Sequence, residues 1–303
     1  MGRKAVIDVG SNSIEFFLGE LTQEGVIQTI MDENDIARLG EGLRETGVLS
    51  AQAMERNSTS IAAFAQKARD NQAGEIACVG TMALRNAKNS AEFVAMVKEK
   101  SGVELCVIDG EEEARLSYLA VLSGLPLQEG DLAIFDTGGG STEFIFGKGT
   151  RLERRFSVDL GALRITEGFQ NDPVTAEEVA AALAEIKSVF TQHGVTGTPA
   201  RLVGIGGTVT SMGAVKHQMV TYDPNVIQGS VLTKEDVQEQ IDRYRSKTLE
   251  ERRQIVGLQP KRADVILAGA CILKVIMECL QVDRLTISDR GLRHGLAYDL
   301  FKQ

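Results

Sequence analysis

Cysteine and histidine are scarce in this chain, with four of the first and three of the second among 303 residues. Cys78, Cys106, Cys271 and Cys279 contain no Cys-x-x-Cys pair, which removes the usual zinc-ribbon and dithiol motifs and leads us to expect four buried, reduced thiols. His193, His217 and His294 lack metal-ligand spacing. There is no Gly-x-Ser-x-Gly elbow for a serine nucleophile and no Gly-Lys-Ser/Thr ending for a P-loop. No apolar run approaches the length of a membrane span. Met1-Gly2-Arg3-Lys4 leads straight into a strand, so neither a signal peptide nor export is expected, and the chain reads as cytoplasmic. Positive charge is also in deficit: the net charge of −9 argues against a nucleic-acid polymer as partner. A small anionic substrate would need a locally positive site or a bound cation.

What is present reads as an ordinary globular composition, 43% hydrophobic and 25% charged, in a length that suits two domains. Lys4–Asp8, Ile14–Leu21 and Val26–Asp32 read as successive strands. Ala51–Asn71 reads as a helix capped by Ser50, with Met54, Ile61 and Phe64 on its apolar side. Strands at Glu75–Gly80 and Val103–Ile108 flank a helix over Ser90–Ser101, and a helix over Glu111–Ser123 follows.

The pattern then restarts. Asp131–Asp136, Glu143–Gly147 and Arg151–Val158 form a second set of strands. Asp8 and Asp136 lie 128 residues apart, and each is followed seven residues later by a glutamate, Glu15 and Glu143. Val79-Gly80-Thr81 finds a partner in Gly206-Gly207-Thr208, and Ile108-Asp109-Gly110 a looser one in Ile287-Ser288-Asp289. This order implies a duplicated β-β-β-α-β-α-β-α unit and two α/β domains, 1–124 and 125–303, facing across a cleft. Gly124-Leu125-Pro126-Leu127-Gln128-Glu129-Gly130 is the expected hinge; the last helix, about 291–303, either stays with the second domain or crosses back onto the first, a choice the sequence leaves open.

Three turns suit phosphate. Gly10, Ser11, Asn12 and Ser13 follow the strand-end Asp8. Gly138, Gly139, Gly140, Ser141 and Thr142 follow Asp136. Gly206, Gly207 and Thr208 lie between a strand over Arg201–Val203 and a helix. Glycine lets successive amides converge on an anion, and a helix start binds anions through its free N–H groups. Asp8 and Asp136 offer hard oxygens for Mg²⁺. Glu111, Glu112 and Glu113 open a helix, where acidic residues complement the helix dipole and where any of the three could orient or deprotonate water. Arg85, four residues after Thr81 at the end of another strand, suits bidentate phosphate contact.

Taken together, Asp8–Ser13, Thr81–Arg85, Gly110–Leu116, Asp136–Glu143, Leu160-Gly-Ala-Leu-Arg-Ile-Thr-Glu167 and Ser288-Asp-Arg-Gly-Leu-Arg-His-Gly295 resemble the exopolyphosphatase/guanosine pentaphosphate phosphohydrolase (Ppx/GppA) family over nearly the whole chain. The resemblance implies two actin-like (ribonuclease H-like) domains, each a mixed sheet flanked by helices, with an interdomain cleft. It implies phosphate release from polyphosphate or guanosine pentaphosphate. Glu113 would be the catalytic base and Arg85 a phosphate contact. Asp136 and Glu143, with Asp8, would serve magnesium and water. Longer members carry a further helical domain beyond the two actin-like ones, and a homodimer is the expected way for a chain of two such domains to extend the substrate channel. Three alternatives stay open: a small-molecule kinase of the same superfamily, a nucleotide-dependent filament or scaffold protein of the actin class, and a non-catalytic guanosine polyphosphate-binding regulator.

Overall fold

The computed structural model describes residues 2–23, 25–125 and 130–302; the central part of the expected hinge, residues 126–129, lies outside them. The chain divides into two compact units, Met1–Ser123 with Leu292–Gln303, and Gly124–Gly291.

The first unit holds strands β1 (Arg3–Val9), β2 (Ile14–Leu21), β3 (Ile27–Asp35), β4 (Ala73–Gly80) and β5 (Leu105–Val107), in the order β3-β2-β1-β4-β5. The first three strands form an antiparallel meander because only short turns join them. β4 runs parallel to β1, and β5 to β4, because helices carry those connections. Alternation along β1 decides the faces. Ala5, Ile7 and Val9 point into a core with Phe16, Leu18, Ile61, Phe64, Phe93 and Val97. There the Phe16 and Phe64 rings stack at 5.0 Å, each side chain contributing roughly 2–3 kcal/mol on burial. Val6 and Asp8 point the other way. On that face Val6 and Phe17 are covered by Ala297 of the C-terminal helix, Leu292–Lys302.

The second unit repeats the plan with β6 (Asp131–Thr137), β7 (Thr142–Lys148), β8 (Arg151–Val158), β9 (Arg201–Ile205), β10 (Val231–Thr233) and β11 (Arg284–Ile287). Its order, β10-β11-β9-β6-β7-β8, contains the first unit's topology with β10 added at an edge. The simple repeat expected from the sequence is therefore incomplete. The second unit inserts β10 and the helices Lys234–Arg245 and Leu249–Arg252 before Ile266–Cys279.

The local signals in the sequence largely hold. Ser50 Oγ accepts from the Ala53 amide and caps Ala51–Asp70. Arg85, four residues past Thr81 at the end of β4, lies on a short helix, Met82–Asn86. The cysteines are a correction. All four are free, but Cys106 is exposed and Cys279 only half-buried, because Cys106 sits on the short terminal strand β5.

Candidate active site

Each unit ends its first strand in an aspartate that faces a glutamate across the hairpin: Asp8 opposite Glu15, and Asp136 opposite Glu143. The turn between them is closed the same way in both. The Gly10 amide donates to the Ser13 carbonyl, and the Gly138 amide to the Ser141 carbonyl, each at 2.9 Å.

Neighbouring backbone then ties the loop carbonyls inward. In the first unit the Gly40 and Arg38 amides donate to the carbonyls of Ser11 and Asn12, both at 2.8 Å. In the second, the Ala162 and Leu163 amides donate to the carbonyls of Gly138 and Gly139, both at 2.9 Å. With the carbonyls so engaged, the amides of Ser11, Asn12, Gly139 and Gly140 meet no acceptor among the described residues. A loop with its carbonyls tied back and its amides open is built for an anion.

This arrangement also explains the Leu160–Glu167 motif, to which the sequence alone assigned no task. A side chain on Gly161 would stand 2.5 Å from the carbonyl carbon and oxygen of Gly139, so only glycine lets this segment brace the loop. Thr142 Oγ1 adds a bond of 2.7 Å to the Leu160 carbonyl.

The third turn joins β9 to the helix Gly207–Lys216. Gly206 has φ +83°, and the Asp136 carboxylate occupies the space its side chain would need. The sheet register corrects the correspondence drawn from the sequence by one residue. Val79 stands beside Asp8 and Ile205 beside Asp136, so Gly80 matches Gly206 rather than Gly207. Thr208 Oγ1 donates to the Thr137 carbonyl at 3.4 Å, so this hydroxyl is spent within the unit.

In the first unit Arg85 Nη1 donates to Glu113 Oε2 at 2.7 Å and to the Ile108 carbonyl at 3.0 Å. The two side chains remain 28% and 33% exposed, which leaves both reachable by a ligand. The neighbouring glutamates are thereby told apart. Glu112 is committed to Arg115, with bonds of 2.7 Å, and Arg115 to Asp299.

Asp8 is a buried carboxylate under electrostatic stress. Burial pushes its carboxyl well above the usual range; Glu15 and Glu113 push the same way, and Arg293 pulls against them. Its Oδ1 is buried without a hydrogen-bond partner. In the second unit Glu143 Oε1 accepts from Ser141 Oγ at 2.6 Å and from Ser157 Oγ at 3.1 Å.

Among the described residues no three His, Cys, Asp or Glu side chains gather into a metal cage. The carboxylates present nevertheless suit Mg²⁺, which takes one or two carboxylates and completes its shell with water and substrate oxygens. Asp8, with a buried oxygen lacking any donor, is the observation that fits.

Two features escaped the sequence reading. Arg262 closes the turn Pro260–Arg262, and its guanidinium lies where a side chain on Gly207 would point. Burial lowers its pKa against the opposing charge of Asp136, which places a cation beside the third glycine turn. Nothing in Gln259-Pro-Lys-Arg262 signals this. Arg293 and His294, on the C-terminal helix, meet Asp32, and Arg293 also meets Glu15. The run Ser288–Gly295 carried them in the sequence without indicating a partner.

Two units of related topology, each turning from a strand-end aspartate through an open-amide loop, define an α/β protein of the actin-like class. The chain belongs to the Ppx/GppA phosphatase family, whose model matches residues 20–303. It is 30% identical to exopolyphosphatase 2 of Mycobacterium tuberculosis over 98% of both chains. It is 32% identical to the guanosine-5'-triphosphate,3'-diphosphate pyrophosphatase of Aliivibrio fischeri, covering 99% of this chain but 59% of that relative. Its structure superposes on the crystal structure of the Aquifex aeolicus Ppx/GppA family member with a TM-score of 0.90, at 33% identity over 99% of this chain and 97% of the other. No helix among the described residues is long and apolar enough to cross a membrane.

Proposed function

We propose that this phosphohydrolase releases the terminal phosphate of a phosphoanhydride polyanion, inorganic polyphosphate or guanosine pentaphosphate. The observation that carries the reading is the Arg85–Glu113 ion pair, with Glu113 in electrostatic range of the buried Asp8 carboxylate beside an open-amide loop. A terminal phosphoryl group competes for Arg85, because a phosphate oxygen is as good a partner for guanidinium as a carboxylate. Once Arg85 turns to phosphate, Glu113 is released to take the proton of an attacking water. The water oxygen bonds to phosphorus as the bond to the bridging oxygen breaks. The shortened chain leaves carrying that oxygen. In the first unit the loop amides of Ser11 and Asn12, with Arg85, stabilise charge on the transferred oxygens. Phosphoryl transfer depends mainly on such positioning and charge compensation.

Asp8 in the first unit, and Asp136 with Glu143 in the second, are the residues that would hold Mg²⁺, and the ion would offset substrate charge. The exopolyphosphatase relative is matched along essentially its full length, which makes polyphosphate the first substrate to try. Four free cysteines suit a reducing cytoplasm.

The test is phosphate release from a length series of polyphosphates and from guanosine pentaphosphate, with Mg²⁺ and with EDTA. Release that requires Mg²⁺ supports the reading. Absence of release from both substrates refutes it.

A further inference from the structure

The face of the first sheet that carries Asp8 also carries Glu15 and Phe17 on β2 and Asp32 on β3, because Asp8 pairs with Glu15 and Phe17 with Asp32 across the ladders. The C-terminal helix lies on this face and sets Arg293 among the three carboxylates. Arg293 Nε donates to Asp32 Oδ1 at 2.7 Å, and its Nη1 donates to Glu15 Oε2. His294 Nε2 meets Asp32 Oδ2 at 2.9 Å, and its ring stands edge-on to Phe17 at 5.3 Å. The Arg293 side chain is only 15% exposed, so this pairing is little screened by water.

We propose that Arg293 is a positioning residue that occupies and neutralises Glu15, so that the loop after Asp8 presents the Asp8 carboxylate alone instead of two open carboxylates. The proposal rests on the phosphohydrolase reading of that loop. Two unpaired carboxylates opposite one another would repel an incoming polyanion and would also form a second, competing cation site. Arg293 prevents both by holding the Glu15 carboxylate.

The helix does not depend on Arg293 for its place. Gly295 packs directly against the backbone of Leu116 and Ala120, and Arg115 bonds Asp299 at 2.7 Å. Lys4 Nζ reaches the Leu300 carbonyl at 2.7 Å, and Leu292 packs with Val79, Ile108 and Leu116. A change at residue 293 can therefore be read for its charge.

The experiment uses the full chain as R293M, R293K, E15Q and the double variant R293M/E15Q. It measures KM and kcat for phosphate release, and separately titrates the metal-free proteins with Mn²⁺ by electron paramagnetic resonance. R293M is expected to raise KM about tenfold yet bind Mn²⁺ about tenfold more tightly, since a freed Glu15 repels the polyanion and attracts the cation. Adding E15Q should reverse both effects to within about threefold of wild type, and R293K should retain most of the wild-type KM. Loss of affinity for both Mn²⁺ and substrate in R293M, unrelieved by E15Q, overturns the proposal and assigns Arg293 a role in docking alone. Should R293M fail to fold, E15Q by itself decides: the proposal requires a KM at or below the wild-type value, and a raised KM overturns it. If the wild-type chain releases no phosphate, the functional reading fails, while the Mn²⁺ titrations still decide whether Arg293 withholds Glu15 from cations.

Discussion

Gly161→Ala tests the brace behind the second phosphate loop. An added Cβ would stand 2.5 Å from the Gly139 carbonyl carbon and oxygen and 2.6 Å from the Gly138 carbonyl oxygen, where ordinary contact begins near 3.4 Å. The loop backbone must therefore retreat by about 0.9 Å, or the Leu160–Ala162 segment must move and release the two amides that tie the loop. Overpacking of this kind costs about 1–3 kcal/mol. For a unit of this size that lowers Tm by about 3–10 °C. The catalytic penalty is larger in proportion, because a displacement near 1 Å in a substrate-positioning element costs about 10²-fold. Phosphate release under steady-state conditions, with calorimetry on the same samples, measures both. A Tm that falls while kcat/KM stays within about threefold of wild type would show that this loop does not position the reacting phosphate. If neither quantity moves, Gly161 does not brace the loop.

Glu113→Ala should lower kcat by roughly 10² or more with melting little changed, the scale of a lost general base; a near-normal rate removes Glu113 from the mechanism. Asp8→Asn should raise stability in EDTA by about 1 kcal/mol or more while activity collapses, because a buried, unpartnered carboxylate is destabilising when ionised. A lower Tm in that variant would refute this account of Asp8. Glu178 supplies a pH test away from the site: amides of Thr175, Gln170 and Asn171 hold its carboxyl down to about 2, from a usual 4.5. A lowered carboxyl stabilises above its unfolded value and loses that contribution as pH falls toward 2. Wild type should therefore exceed Glu178→Gln in Tm near neutrality, with the gap closing on acidification; a gap that widens on acidification contradicts the sign.

Much of the fold was legible because its signals are local. Ser50 caps its helix through a hydroxyl three residues from the amide it accepts, a distance the sequence itself displays. The strand-end aspartates, their glutamates and the glycine turns were legible because strand periodicity and turn chemistry dictate both spacing and type. The equal offsets exposed the duplication, but they could not show the edge strand Val231–Thr233 or its helices, which break the repeat without a repeat of their own.

Pairing across long separations was beyond the sequence. Arg85 and Glu113 are 28 residues apart, and Arg293 lies 278 residues from Glu15. Any of three consecutive glutamates could have met Arg85, and only the turn at Asp109 with the competing Arg115 leaves that place to Glu113. The sequence by itself determined the two loops, their acidic residues and the class of ligand they suit, since those follow from backbone freedom and side-chain chemistry at short range. The tertiary structure decided which charges face each other, because burial and distance, which no linear pattern encodes, set every electrostatic partner.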